Sequence, residues 1–313
     1  VISGRHCLAA ADPVFKRNSA MKRAGFNHFG LPVMLLLPQL IIIGVFFYWP
    51  AAYALRSSFF LEDPFGFGST FVGIDNYTDL FGSAQYLKVA GFTLGFTFLV
   101  TFLSLSIALL LAVKADKVIR GTRVYRTLLM WVYAVAPPVA GFLGVMVFYQ
   151  GNGPMTEFLA MLGYEFRLGV NYYDTAAAMV VVATWNHIPV NFIFLLSGLQ
   201  SIPQSVKEAA MIDNRSGMRR FWDITFPLLA PTAFFLLIIN ITYALFDTFG
   251  MIDALVKGEP GNNPMTMVYK VYVDGFRGND LGGSSAQSVI LMVLVLVLTV
   301  FQFRVMDRRI HYT

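Results

Sequence analysis

Six apolar stretches, 31–55, 89–113, 128–149, 176–199, 228–246 and 286–305, dominate this chain. Each is long enough to cross the ~30 Å hydrocarbon core of a bilayer as a helix. Arg304, at the very edge of the last stretch, is the one Lys or Arg that any of them contains. Inside hydrocarbon the backbone has no water to bond, so only helices and closed β-barrels span it. Barrel strands alternate apolar and polar residues over segments of about 10 residues. These runs do not alternate. The expected fold is therefore an all-α integral membrane protein with six transmembrane helices. Composition excludes the competing classes. Hydrophobic residues make up 57% of the chain and charged residues 13%, against about half and about a quarter in soluble domains. Forty-one charges would cover a soluble body of 313 residues thinly, and disorder needs low hydrophobicity and high charge.

The loops set the orientation. The N-terminal tail, the second and fourth loops and the C-terminal tail hold 17 of the 23 Lys and Arg residues, and the other three loops hold six. Positive residues favour the cytoplasmic side, and the bias alternates at every loop. Both termini are thus expected in the cytoplasm. The net charge of +5 is accounted for by this bias and calls for no nucleic acid. The domain layout is a tail over 1–30, a transmembrane domain over 31–305 containing a patterned loop at 200–227, and a tail over 306–313. Residues 1–20 lack the apolar core of a signal peptide. Met21, followed by Lys22 and Arg23, is expected to be the natural start. One cysteine (Cys7) and four histidines far apart in sequence offer neither a disulfide nor a metal site.

The fourth loop is more than a connector. Pro203 suits a first helical turn, where its missing N–H costs nothing. Ile202, Val206, Ala209 and Ala210 then share a face. Asn214 and Gly217 bracket an expected break, since both residue types tolerate a left-handed backbone. Met218, Phe221, Trp222, Thr225 and Phe226 form a second face before Pro227. Two short helices on the cytoplasmic face result. Such a pair can lie on lipid or dock a protein; the small Ala209–Ala210 pair favours the second.

Glu208-Ala209-Ala210 with Asp213, Ile224, Pro227 and Leu228 resembles the EAA loop of the permease subunits of ABC importers. The segment Phe71-Val72-Gly73-Ile74-Asp75-Asn76-Tyr77 is similar to the sugar-type branch. Asp63-Pro64-Phe65-Gly66-Phe67, Phe246-Asp247-Thr248-Phe249 and Ser285-Ala286-Gln287-Ser288-Val289 look like members that import sn-glycerol-3-phosphate. The chain departs from the family at Asn214, where Gly is usual, and at Gly258-Glu259-Pro260, where Gly-Gly-Pro is usual. The resemblance implies a type I ABC importer transmembrane domain in a bacterial inner membrane. It implies an unlike second permease subunit, two ATP-binding subunits that use ATP-Mg, a solute-binding protein outside, and lipid around the spans. Glu208, Ala209, Ala210, Asp213, Asn214, Gly217 and Pro227 would couple the chain to the ATPase. The chain has no G-x-x-x-x-G-K-[ST] phosphate loop, so hydrolysis is expected in the partner and no cofactor here.

Polar residues within spans are the default place to look for a path. Asn186, His187 and Asn191 flank Pro189 in the fourth stretch, Asn240 lies in the fifth, and Asp247 follows it. The competing reading is that the amides join helices and Asp247 caps one. The Pro137–Pro138 pair is expected to break the third helix. A permease for another sugar or polyol is the alternative within the class. An ATP-independent carrier or channel usually shows internal repeats, and none is visible. A membrane enzyme needs a convergent catalytic set, and none is visible either.

Overall fold

The computed structural model describes residues 30–63, 68–116, 122–212, 216–256 and 263–309. Expectations concerning Asp213, Asn214, Gly258 to Pro260 and the first 29 residues lie outside these. The chain divides into two units, Val1–Ala51 and Ala52–Thr313. In the first, α1 (Gly30–Ile43) runs through a π-turn (Gly44–Tyr48) into the start of α2 (Trp49–Ser57), which carries on into the second unit.

In the second unit, α2 leads into a hairpin of β1 (Phe60–Glu62) and β2 (Ser69–Phe71), with Phe60 opposite Phe71, and then α3 (Asp75–Gly82). The Asn76 and Tyr77 of the Phe71–Tyr77 motif brace this region. Asn76 Nδ2 donates to Ser58 O (2.9 Å) and Phe60 O (3.1 Å), and Tyr77 Oη donates to Ser58 Oγ (2.7 Å). The spans α4 (Ala84–Asp116), α8 (Tyr172–Ser201), α11 (Phe226–Thr242) and α14 (Leu281–Arg309) follow in chain order. Between α4 and α8 lie α5 (Thr122–Tyr133), α6 (Pro137–Val147) and α7 (Pro154–Met161). Between α8 and α11 lie α9 (Gln204–Ile212) and α10 (Gly217–Arg220). Between α11 and α14 lie α12 (Phe249–Val256) and α13 (Met267–Tyr272).

Among the described residues, five helical segments are long and apolar enough to cross a membrane, and a sixth crossing requires α5 and α6 to be taken together across a 102° bend. The stretch over 128–149 is thus broken into two helices, as expected from the Pro137–Pro138 pair. The cause is local. Residues 137 and 138, both Pro, cannot supply the N–H groups that a continuous helix would give the carbonyls of Tyr133 and Ala134. Ala136 takes the extended backbone that precedes Pro (φ −61°, ψ 145°).

Helix α8 is the axis of the second unit, with 61% of its most apolar window buried. Its main partner is α4, which presents Val89, Thr93, Phe96, Val100, Ser104, Ala108, Ala112 and Ala115 as one buried stripe. Contacts at opposite ends of this pair sort the loops. Asp116 at the end of α4 meets Lys207 of α9. At the other end Thr93 Oγ1 accepts from Met267 N (2.9 Å), while the carbonyl of Phe60 lies against Gly282 at the start of α14.

Close packing of α6 on α12 depends on glycine. A Cβ at Gly141 would run into the backbone carbonyl of Met251 and lie 2.9 Å from Ala254 Cβ. One at Gly144 would come within 2.8 Å of Val182 Cγ2, and one at Gly250 within 2.9 Å of Pro138 Cγ. Small residues are what let membrane helices approach this closely. Gly141→Leu is expected to destabilise the detergent-purified protein by about 1–3 kcal/mol. Gly95→Ala, at a position with nothing within 4 Å, is expected to change little. Thermal unfolding of the two variants side by side checks this.

Candidate functional site

The patterned loop folds as two short helices. Pro203 O accepts from Val206 N (3.1 Å) and Lys207 N (3.3 Å), so the first turn opens at the proline. Ile202 and Ala210 are buried beneath α9, while Glu208 and Ala209 are exposed. Lys207 Nζ reaches Asp116 Oδ2 at 3.2 Å, with both side chains roughly three-quarters buried. This ion pair fixes the rotation of α9 and points Glu208 and Ala209 away from the bundle.

Gly217 departs from its expected part in a left-handed turn. It is the first residue of α10 and is not among the described residues with positive φ. Ser216 caps the helix instead, its Oγ accepting from Arg219 N at 3.4 Å. A serine oxygen at the N-cap satisfies an otherwise free N–H, so the turn there needs no glycine. Helix α10 continues through a π-turn (Phe221–Thr225) into α11, with Pro227 in the first turn. The Trp222 ring lies 5.3 Å from that of Phe221 and 5.0 Å from that of Phe226. Met218 and Trp222 remain exposed.

The expected path residues fall on two levels of the bundle. At the deeper level Asn191 and Asn240 exchange hydrogen bonds: Asn191 Nδ2 donates to Asn240 Oδ1 (2.9 Å) and Asn240 Nδ2 to Asn191 Oδ1 (2.6 Å). Ser104 Oγ donates to the same Asn240 oxygen at 2.7 Å. Both amides are fully buried. The node ties α4, α8 and α11 at one height, as the helix-joining reading expects. About one turn along α8, the His187 ring stacks on Tyr243 with centroids 3.9 Å apart and planes 13° apart. Tyr243 Oη donates to Ala183 O (3.3 Å) and Asn186 Oδ1 (3.2 Å), and Asn186 Nδ2 donates to Val135 O (3.2 Å). His187 Nε2 is buried without a hydrogen-bond partner. Asp247 closes the π-turn Tyr243–Asp247 that follows α11, and its side chain is exposed. Thr97, Thr101 and Thr184 likewise bury hydroxyls that have no partner, so unspent polarity runs along α4 and α8.

Sequence reasoning missed Ser104, Tyr243 and the Lys207–Asp116 pair. A signal existed for the first, since Thr93, Thr97, Thr101 and Ser104 lie at helical spacing in an apolar run. Lys207 and Asp116 are 91 positions apart, and spacing says nothing about such a pair.

The end of the unit remote from α9 is polar. Asp174 accepts from Tyr164 Oη (2.6 Å) and Arg167 N (2.8 Å). That hydrogen bond holds the exposed Tyr164 phenol above its ordinary pKa. Burial, then the nearby Asp253 carboxylate, pushes the Tyr269 phenol up to about 12. Lys270 pairs with Asp274 at 2.8 Å, and Gln287 Nε2 donates to the same Asp274 oxygen at 2.6 Å. No group of metal-holding residues occurs among the described residues.

Residues 104–312 match the family of binding-protein-dependent transport system inner membrane components. The sn-glycerol-3-phosphate transport system permease protein UgpA of Brucella abortus biovar 1 (strain 9-941) is 48% identical over 293 residues, covering 94% of this chain and all of that one. UgpA of Rhizobium meliloti (strain 1021) is 48% identical over 93% of this chain and all of its own. A chain of a bacterial ABC transporter that imports the acidic polysaccharide alginate shares the fold at 21% identity (TM-score 0.76), covering 89% of this chain and 96% of that one.

The Lys207–Asp116 pair gives a direct test of how α9 is held. Lys207→Asp, which faces Asp116 with a second carboxylate, is expected to lower stability by about 1 kcal/mol. The exchanged pair, Lys207→Asp with Asp116→Lys, is expected to recover most of it. Unfolding midpoints of the purified variants measure both.

Proposed function

The chain belongs to the family of binding-protein-dependent transport system inner membrane components, and from that membership we propose that it forms half of the import path for sn-glycerol-3-phosphate. It is a multi-pass inner-membrane permease subunit. One observation carries the substrate: identity of 45–48% over at least 90% of the chain to permeases named for that solute. Its partners are an unlike permease subunit, two ATP-binding subunits and a periplasmic solute-binding protein. The chain itself is non-catalytic, and ATP-Mg is used by the partner.

Function follows from where force enters and where solute passes. The Lys- and Arg-rich loops support a cytoplasmic side for α9 and α10. Glu208, Ala209 and Ala210, with Asp213 and Asn214, form the contact with the ATPase. Gly217 opens the return helix and Pro227 joins it to α11, so a displacement of the loop is carried along α11. ATP binding closes the partner subunits, and the spans reopen to the other side of the membrane.

The polar interior supplies the wall of the path. Asn191 and Asn240 are spent on each other. His187, with its unpartnered Nε2, and the exposed Asp247 are left to face a solute. The spans contain no mid-membrane Lys or Arg. The phosphate is therefore met by neutral donors, helix N-termini and residues of the partner permease.

Uptake of labelled sn-glycerol-3-phosphate by the reconstituted importer is expected to require ATP and the binding protein. Ala209→Asp, which puts a carboxylate in the ATPase contact, is expected to reduce uptake at least tenfold with membrane insertion unchanged. Uptake of a neutral sugar alone would overturn the substrate, and uptake by this chain without ATP would overturn the class.

A further inference from the structure

The 102° bend between α5 and α6 puts irregular backbone in the middle of the third apolar stretch. Such backbone persists only where protein or a water-lined cavity satisfies it. The bend is satisfied from outside its own span: Val135 O accepts from Asn186 Nδ2 of α8 at 3.2 Å. The other end of that amide is also engaged, because Asn186 Oδ1 accepts from Tyr243 Oη at 3.2 Å. Both ends of the Asn186 amide and the Tyr243 hydroxyl are thus spent within the protein, so little of either remains for a solute. Tyr243 opens the π-turn that joins α11 to α12, and α12 packs on α6 at Gly141. The connection thus closes on itself, from α11 through Tyr243, Asn186 and Val135 to α6, and back through α12.

We propose that Asn186 is a positioning residue, and that the Tyr243–Asn186–Val135 chain latches the broken third span to α11 so that the two move together. The proposal rests on the importer reading for what drives the motion, since α11 begins at the cytoplasmic loop. It removes Asn186 from the groups that touch solute and leaves its neighbour His187 among them. The amide acts through geometry. It must donate to a carbonyl and accept from a phenol at once, and among side chains of its length only an amide does both without taking up a proton.

The test uses the whole importer in nanodiscs, with Asn186→Leu, Asn186→Asp, Asn186→Gln and Tyr243→Phe. Backbone hydrogen exchange over 133–140 is expected to quicken about tenfold in Asn186→Leu and less in Tyr243→Phe, which keeps the ring on His187. Import is expected to lose about tenfold in kcat with KM unchanged and ATP hydrolysis retained. Asn186→Gln is expected to restore part of the rate, and Asn186→Asp, which donates only when protonated, to restore less at high pH than at low pH. Unchanged exchange in both Asn186→Leu and Tyr243→Phe would overturn the latch. So would a raised KM at unchanged kcat, which would return Asn186 to the solute. Should the unaltered complex fail to import sn-glycerol-3-phosphate, the substrate reading falls, while the exchange measurement still decides the latch.

Discussion

Every backbone N–H and C=O that enters hydrocarbon must find a partner in protein, at a cost of several kcal/mol for each that does not. The architecture follows from meeting that demand with very few polar side chains. Pro154 and Pro227 sit in first helical turns, where a missing N–H goes unnoticed. Where Pro137 and Pro138 make a bend unavoidable, α8 lends a side-chain amide. Departures from the α-helix are otherwise absorbed by π-turns at Gly44–Tyr48, Phe221–Thr225, Tyr243–Asp247 and Val273–Arg277. Each keeps its backbone paired while shifting the helical phase. Two of them flank α11, at the loop end and at the Tyr243 end. Helix α11, which follows the α9–α10 loop, thus has a π-turn at each of its termini.

The helical class, the apolar stretches and the break at Pro137–Pro138 were legible because each follows from local chemistry: run length, charge placement and a missing N–H. The limits of the stretches were less so. Helix α4 begins at Ala84 and ends at Asp116, beyond the expected 89–113, because hydropathy marks only the part inside hydrocarbon. The loop over 200–227 was legible as two helices from Pro203 and the apolar faces. Its turn was misjudged at Gly217, since glycine's freedom was read as use of that freedom, whereas Ser216 caps the helix.

The candidate site was legible as composition and illegible as geometry. Asn186, His187, Asn191 and Asn240 stood out as polar residues in apolar runs, yet nothing in their spacing told a helix-joining amide from a solute-facing one. Their partners lie on other segments of the chain. Asn191 finds Asn240 49 positions away, and Asn186 finds Val135 51 positions away. Both amides are engaged within the protein, whereas His187 Nε2 has no hydrogen-bond partner among the described residues.

Scarcity of charge links the fold to the transported solute. A guanidinium fixed in a low-dielectric path would hold a phosphate strongly, and strong holding opposes release. A path has to bind enough to admit its solute and weakly enough to let it leave. Neutral donors such as an imidazole, hydroxyls and helix termini give an anion partial compensation without a trap. They also leave the spans apolar enough to remain in the bilayer, so the composition that secures insertion also suits turnover. Under the proposed function, selectivity for the phosphate falls to the binding protein that delivers it, and coupling to ATP to the loop around Glu208.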